Sequence, residues 1–169
     1  MIDRGTAAAL VTSVELDHGD ALFGFARRQG IDDPTAADVV QEGLLRLYDA
    51  IVDGTRVQDA RAWVFTVVYH LAMDEHRRRR RLTSAITLAA ARADPPTQDP
   101  VSVSERRLVW AEVDRLSERQ RSVLYLRYRA DLPFEVVGRV LGITSSAARS
   151  HATQAIATLR SRLATEVER

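Results

Sequence analysis

The chain has 169 residues, of which 46% are hydrophobic, and a formal net charge of +1. This suits one globular domain or two small ones, and it carries no bulk excess of charge that would point to nucleic acid. Cys is absent, which excludes disulfides and thiolate zinc or redox sites.

The charge is unevenly spread. Residues 1–60 carry 5 Arg against 11 acids, residues 61–82 carry 6 Arg against 2, and residues 105–169 carry 12 Arg against 8. An acidic front followed by two basic zones suggests more than one macromolecular surface. No apolar run reaches the about 18 residues of a membrane span. The N-terminus also lacks the basic start and apolar stretch of a signal peptide. No membrane insertion and a cytoplasmic location are expected.

Nearly every long segment has helical periodicity, and none alternates with period two. Residues 6–29 read as a helix, or as two helices interrupted near Gly19. In "DPTAADVVQEGLLRLYDAI", Asp33 is the expected N-cap and Pro34 the first helical residue. Val40, Leu44, Leu47 and Ile51 form its apolar stripe. Residues 52–59 read as a loop, after which Asp59 can cap "ARAWVFTVVYHLAMDEHRRRRR". Residues 83–101, with three Pro within six positions, read as a linker, although a helical fragment through Ile86–Arg92 stays open. Helix resumes at a capping box formed by Ser102 and Glu105, and a second box pairs Ser117 with Gln120. Four helices are expected, at about 103–115, 118–129, 133–141 and 145–165. The expected fold is all-α, with two small helical domains (1–82 and 102–169) on a tether.

"PFEVVGRVLGITSSAARSHATQAIATLR" has helix-turn-helix form. Gly138 is small where two helices would cross, and Gly142 suits the positive φ of the turn. Val137, Leu141 and Ile143 would supply a small core, and Thr144 would cap the second helix. Ala148, Ala152, Ile156, Leu159 and Leu163 form the expected buried stripe. Ser146, Arg149, Ser150 and Thr153 fall on the other side, where base edges would be met. Arg149 suits guanine and Gln154 suits adenine. Between Thr144 and Arg160 the basic groups are Arg149, His151 and Arg160, thin for a site whose affinity rests on phosphate contacts. An ordinary helical hairpin with a solvated second helix is the competing reading.

"HRRRRR", residues 76–81, is either a solvated helix end favoured by the dipole or a phosphate-binding block. Five adjacent like charges repel unless screened, which favours phosphate. Upstream, Trp63, Phe65, Tyr69 and His70 either stack on unpaired bases or pack in the core, with Trp63 read mainly as core. Asp38, Gln41, Glu42 and Asp49 form either a solvated face or a docking surface for a basic partner.

Taken together, these stretches resemble a bacterial RNA polymerase sigma factor of the extracytoplasmic-function (ECF) group. "DVVQEGLLRLYDAI" is similar to a region-2 helix, with D-x-V-Q-E at Asp38, Val40, Gln41 and Glu42. The next helix matches through R-A-W at Arg61–Trp63, L-A-x-D at Leu71–Asp74 and the Arg run. Region 4 is matched by L-x-E-R-Q-R at Leu116–Arg121 and L-G-I-T at Leu141–Thr144. The motifs fall in family order across nearly the whole chain.

The resemblance implies a non-enzymatic promoter-specificity subunit with no cofactor and no metal. Asp38, Gln41 and Glu42 would dock on the β′ clamp of core RNA polymerase, and region 4 would meet the β flap. Arg61, Trp63, Tyr69, His70, Arg77, Arg78, Arg80 and Arg81, with loop 52–59, would engage and melt the −10 element. Thr144, Ser145, Ser146, Arg149, Ser150, Thr153 and Gln154 would meet the −35 element, and the linker would run toward the RNA exit path. Anti-sigma proteins commonly mask both domains in this family. The chain departs from the family at Thr66, Tyr69, His70, Pro133, Ala152, Thr153 and Gln154, which bears on promoter sequence more than on class. The alternative is a duplex-only helix-turn-helix regulator, which would need neither the acidic face nor the aromatic–Arg helix.

Overall fold

The computed structural model describes residues 3–86 and 105–167. They are helical, with no strand among them, and fall into two units, Met1–Pro95 and Pro96–Arg169. The expected Ser102 cap lies outside the described residues.

The first unit holds α1 (Arg4–Arg27), α2 (Asp33–Val52) and α3 (Ala60–Ile86). α1 is a single unbroken helix, so the interruption expected near Gly19 does not occur. It starts at Asp3, whose carboxylate accepts the backbone N–H groups of Gly5 (2.8 Å) and Thr6 (3.1 Å). The cap of α2 is Asp32, one residue before the expected Asp33. Asp32 is extended (φ −76°, ψ 169°) and its carboxylate accepts Thr35 N–H at 3.0 Å. That bond serves an N–H left free at the helix start. Asp33 instead lies in the first turn and pairs with Arg27 of α1. Asp59 caps α3 as expected, accepting Ala62 N–H at 2.9 Å. α3 continues to Ile86, four residues into the stretch read as linker.

The expected α2 stripe is buried throughout. It closes over Leu22 and Phe25 of α1 and Val64, Phe65 and Val68 of α3. Phe25 and Phe65 meet edge to face, with centroids 5.7 Å apart, and burying each ring contributes roughly 1.5–3 kcal/mol. α2 and α3 approach closely because Gly43 has no side chain: a Cβ there would lie 2.8 Å from Val68 Cγ2.

The second unit holds α4 (Glu105–Asp114), α5 (Glu118–Leu124), α6 (Phe134–Leu141) and α7 (Ser145–Val167). The helix expected over 118–129 is not uniformly α. Tyr125–Arg129 form a π-helical turn, closed by Ala130 N–H donating to Tyr125 C=O at 3.0 Å. Such a turn inserts one residue into the helical phase. Tyr125 and Leu126 stay buried, with Tyr125 edge-on to Trp110 at 5.5 Å. Asp131 then ends the turn at φ +50°, a left-handed conformation that Asp tolerates better than most residues.

The region-4 motif arginines are structural ties. Arg119 donates to Leu141 C=O at 2.7 Å and Arg121 to Asp114 C=O at 3.1 Å. Ser117 Oγ accepts Gln120 N–H at 3.4 Å.

Candidate nucleic-acid and docking surfaces

The helix-turn-helix is set by close approach. Ile143 N–H donates to Gly138 C=O at 2.9 Å, and a Cβ on Gly138 would meet Ile143 O at 2.6 Å. Gly142 ends α6 at φ +66°, ψ 35°. Thr144 Oγ1 accepts Ala147 N–H at 3.1 Å and caps α7. Pro133 occupies the N-cap of α6 without a side-chain bond.

The α7 stripe is shifted from the expected one. Ala148, Ala152, Ala155 and Leu159 are buried, while Ile156 and Leu163 are half-buried. A period of 3.6 allows a step from 152 to either 155 or 156, and in this packing Ala155 is the residue that turns inward. Val137 and Leu141 are buried as expected, and Ile143 is half-buried. Thr144, Ser146, Arg149, Ser150, Thr153 and Gln154 are exposed together, with Ser145 half-buried.

Arg149 is engaged within the chain. Its guanidinium donates to Glu135 Oε1 at 2.5 Å and lies over the Phe134 ring, 5.5 Å from the centroid. Glu135 is held below the ordinary glutamate range, first by its own backbone N–H, with the Arg149 charge and hydrogen bond adding to this against the opposing effect of burial.

On the first unit, Thr35, Asp38, Val39 and Glu42 of α2 face Leu71, Asp74, Glu75 and Arg78 of α3 across a shallow open groove. Gln41 is exposed beside it but turns to α1, donating to Glu15 at 3.1 Å. Glu42 accepts from Arg46 at 2.7 Å. Two of the three expected docking residues therefore share the groove. Asp74 and Glu75 stand opposite them on α3, a juxtaposition that depends on helix packing and is not legible in sequence, and both carboxylates are paired with arginines of the Arg run. Leu45, one turn past Gln41, is 55% exposed, and Leu16, next to Glu15, is 81% exposed. These apolar side chains border the acidic face.

The Arg run divides in two. Arg77 pairs with Asp74 (3.3 Å) and Arg78 with Glu75 (2.8 Å). Arg79 reaches Asp32 (2.8 Å), Glu75 (3.0 Å) and Thr35 Oγ1 (2.5 Å). Hydrogen bonding from Arg79 holds the Asp32 carboxyl well below the usual carboxylate range, and Arg78 chiefly lowers Glu75. Self-repulsion alone would favour phosphate along the whole run. The chain's own carboxylates relieve it at three of five positions. Arg80 and Arg81 are exposed and make no ion pair among the described residues.

Upstream, Phe65 is fully buried and Trp63 half-buried. Tyr69 packs against Phe25 (6.1 Å) and lies 5.9 Å from the exposed His70. One side of Tyr69 thus belongs to the core and the other borders the surface. Arg61 is half-buried, close enough for its charge to add to burial in lowering the His18 pKa.

A helical unit with an acidic groove and an aromatic–Arg helix, joined in one chain to a helix-turn-helix unit, defines a two-part transcription initiation factor of the sigma-70 type. Residues 16–82 match Sigma-70 region 2 and residues 113–161 match Sigma-70 region 4. The chain is 32% identical over 156 residues to the ECF RNA polymerase sigma factor SigL of Mycobacterium tuberculosis, covering 90% of this chain and 88% of that protein. It is also 32% identical over 129 residues to the ECF sigma factor SigJ of the same organism, covering 71% of this chain and 40% of SigJ. In fold it is similar to the sigma factor RpoE of Bartonella quintana, solved with the anti-sigma factor NepR (TM-score 0.76, 19% identity, 94% and 98% of the two chains). It is similar as well to CnrH, solved with the cytosolic domain of CnrY (TM-score 0.61, 24% identity, 96% and 97%). The chain belongs to the ECF RNA polymerase sigma factors. Among its described residues no helix is long and apolar enough to cross a membrane.

Proposed function

We propose that this sigma factor docks on core RNA polymerase through the acidic α2–α3 face and divides promoter recognition between its two units. Asp38 and Glu42 attract a basic surface of the β′ clamp, and Leu16 and Leu45 add apolar contact at the margin. The α3 end, with Tyr69, His70, Arg80 and Arg81, engages the single-stranded −10 element. The outer face of α7 reads the −35 duplex, and the second unit also meets the β flap. The chain performs no catalysis of its own and acts in the cytoplasm with the polymerase. RpoE was solved with the anti-sigma factor NepR and CnrH with the cytosolic domain of CnrY, and by analogy an anti-sigma protein binds this chain and covers these surfaces.

The observation that supports this division most is the outward face of α7. Ser146, Arg149, Ser150, Thr153 and Gln154 are presented together while Ala148, Ala152 and Ala155 anchor the helix. That face is polar but weakly charged, so it binds poorly alone. Tethering to a second DNA-binding unit raises effective affinity by about 10²–10⁴. The test is to add the purified chain to core polymerase and sequence the transcripts. Initiation at a restricted promoter set is expected. Failure to co-purify with core polymerase at low salt, with any inhibitor removed, overturns the reading.

A further inference from the structure

The acidic face of α2 carries a cation of its own. Asp38, Glu42 and Arg46 follow one another at one-turn spacing, and Asp49 comes three residues later, so the four share one side of the helix. Asp38, Arg46 and Asp49 are exposed and Glu42 is half-buried. Arg46 Nε lies 2.7 Å from Glu42 Oε1 and interrupts the acidic strip in its middle. We infer that Arg46 is a specificity residue of the docking face: it neutralises Glu42 in the free chain and rejects uniformly basic surfaces, leaving Asp38 to receive the partner first. This rests on the reading that the acidic α2 face docks on core polymerase.

Three features support the assignment. First, the pair does little for the fold. The Arg46 and Glu42 side chains are 53% and 45% exposed, and exposed pairs of this kind contribute little to stability. α2 is already anchored by its buried stripe. Second, the other carboxylates of the groove are also occupied. Asp74 pairs with Arg77 and Glu75 with Arg78 and Arg79, whereas Asp38 makes no ion pair among the described residues. A partner with one well-placed cation finds a free carboxylate, but a run of cations meets Arg46 on α2 and Arg78 on α3. Third, Arg46 adjoins Leu45, the exposed apolar side chain at the margin of the face. A partner that covers Leu45 brings its own charges close to Arg46 and strips away screening water. Like charges brought together in this way exclude wrong partners more than they weaken the right one.

The test is to titrate the full chain at low salt with two probes, core polymerase and an octa-arginine peptide. Arg46→Gln should tighten octa-arginine binding about five-fold and polymerase binding by no more than about two-fold, both through faster association. The gain should vanish near 1 M salt, where charges are screened within about 3 Å. Glu42→Gln, which leaves Arg46 without its counter-ion, should weaken octa-arginine binding by about two-fold or more. Arg46→Lys should match the unaltered chain with both probes. Arg4→Gln removes an exposed cation at the start of α1 and controls for net charge. An equal gain with both probes, a gain matched by Arg4→Gln, no loss in Glu42→Gln, or weaker polymerase binding in Arg46→Gln overturns the inference. The last of these outcomes would mean that Arg46 meets an acid of the polymerase instead. Any of them, with polymerase still bound by the unaltered chain, leaves the docking reading intact. No polymerase binding by the unaltered chain removes both.

Discussion

Arg79 Nη1 lies 2.8 Å from Asp32 Oδ2, so the basic run that ends α3 is joined to the cap that begins α2. The same guanidinium binds Glu75 and Thr35. An arginine in the middle of a basic block thus acts first as a clamp within the domain. Arg79→Ala should destabilise the first unit by about 1 kcal/mol, the upper end for solvent-screened pairs. Arg80→Ala should leave it unchanged. Urea unfolding of the two variants checks the difference.

The same clamp sets an acid dependence. Asp32 and Glu75 have folded pKa values below their ordinary values of 3.8 and 4.5. Their contribution is complete above those ordinary values and is lost as pH falls through the lower, folded ones. Thermal stability of the first unit should therefore drop from about pH 4.5 downward. Arg79→Ala should lessen that drop without abolishing it, because Asp32 keeps its hydrogen bonds from Thr35 and Glu75 keeps Arg78. An equally steep loss in the variant would assign the acid sensitivity elsewhere.

The helices, the two-unit division and the turn were legible because each rests on local chemistry. The α2 stripe, the Asp59 and Thr144 caps and the paired glycines at 138 and 142 all lie within short stretches of chain. What local pattern left open was decided by packing. Asp32 took the cap because Asp33 was drawn to Arg27. Ala155 displaced Ile156 from the stripe because a 3.6 period does not choose between them. The π turn has no sequence signal of its own. Counter-ions were least legible of all: Glu135 lies 14 residues from Arg149, and Asp32 and Thr35 are far from Arg79 in sequence.

Gly138 and Gly142 serve different purposes, so they should fail differently. A methyl group on Gly138 meets the Ile143 carbonyl, which is backbone and cannot rotate away. Gly138→Ala should cost about 1–3 kcal/mol and reduce duplex binding by displacing α7. Gly142 has open space around its Cβ position and only its φ of +66° to sustain. Gly142→Ala should cost about 1 kcal/mol with little change in binding. Thermal melts and duplex titration of both variants separate clash from strain.

The acidic groove should also divide. Asp38 and Glu42 face it, whereas Gln41 is bonded to Glu15. Replacing Asp38 and Glu42 together by Asn and Gln should weaken core-polymerase binding about ten-fold, mainly by slowing association, with a weaker salt dependence. Gln41→Ala should have a smaller effect on binding. Surface plasmon resonance against immobilised core enzyme measures both. A larger loss from Gln41→Ala would move the docking surface toward α1.

Arg149 and the pair Arg80–Arg81 should separate the two halves of promoter recognition. If α7 reads the −35 duplex as proposed, binding of Arg149→Ala to an intact −35 element should fall about ten-fold or more. Capture of a template already melted at −10 should hardly change, since the proposal assigns that contact to the first unit. Arg80→Ala with Arg81→Ala should do the opposite. Loss of two single-strand phosphate contacts lowers the salt slope on the melted template by about 1.4 and leaves −35 dependence intact. Arg77, Arg78 and Arg79 are already occupied by carboxylates, so the corresponding slope loss per residue should be smaller. If Arg149→Ala bound the melted template as poorly as the duplex, the proposed division of recognition between the two units would be wrong.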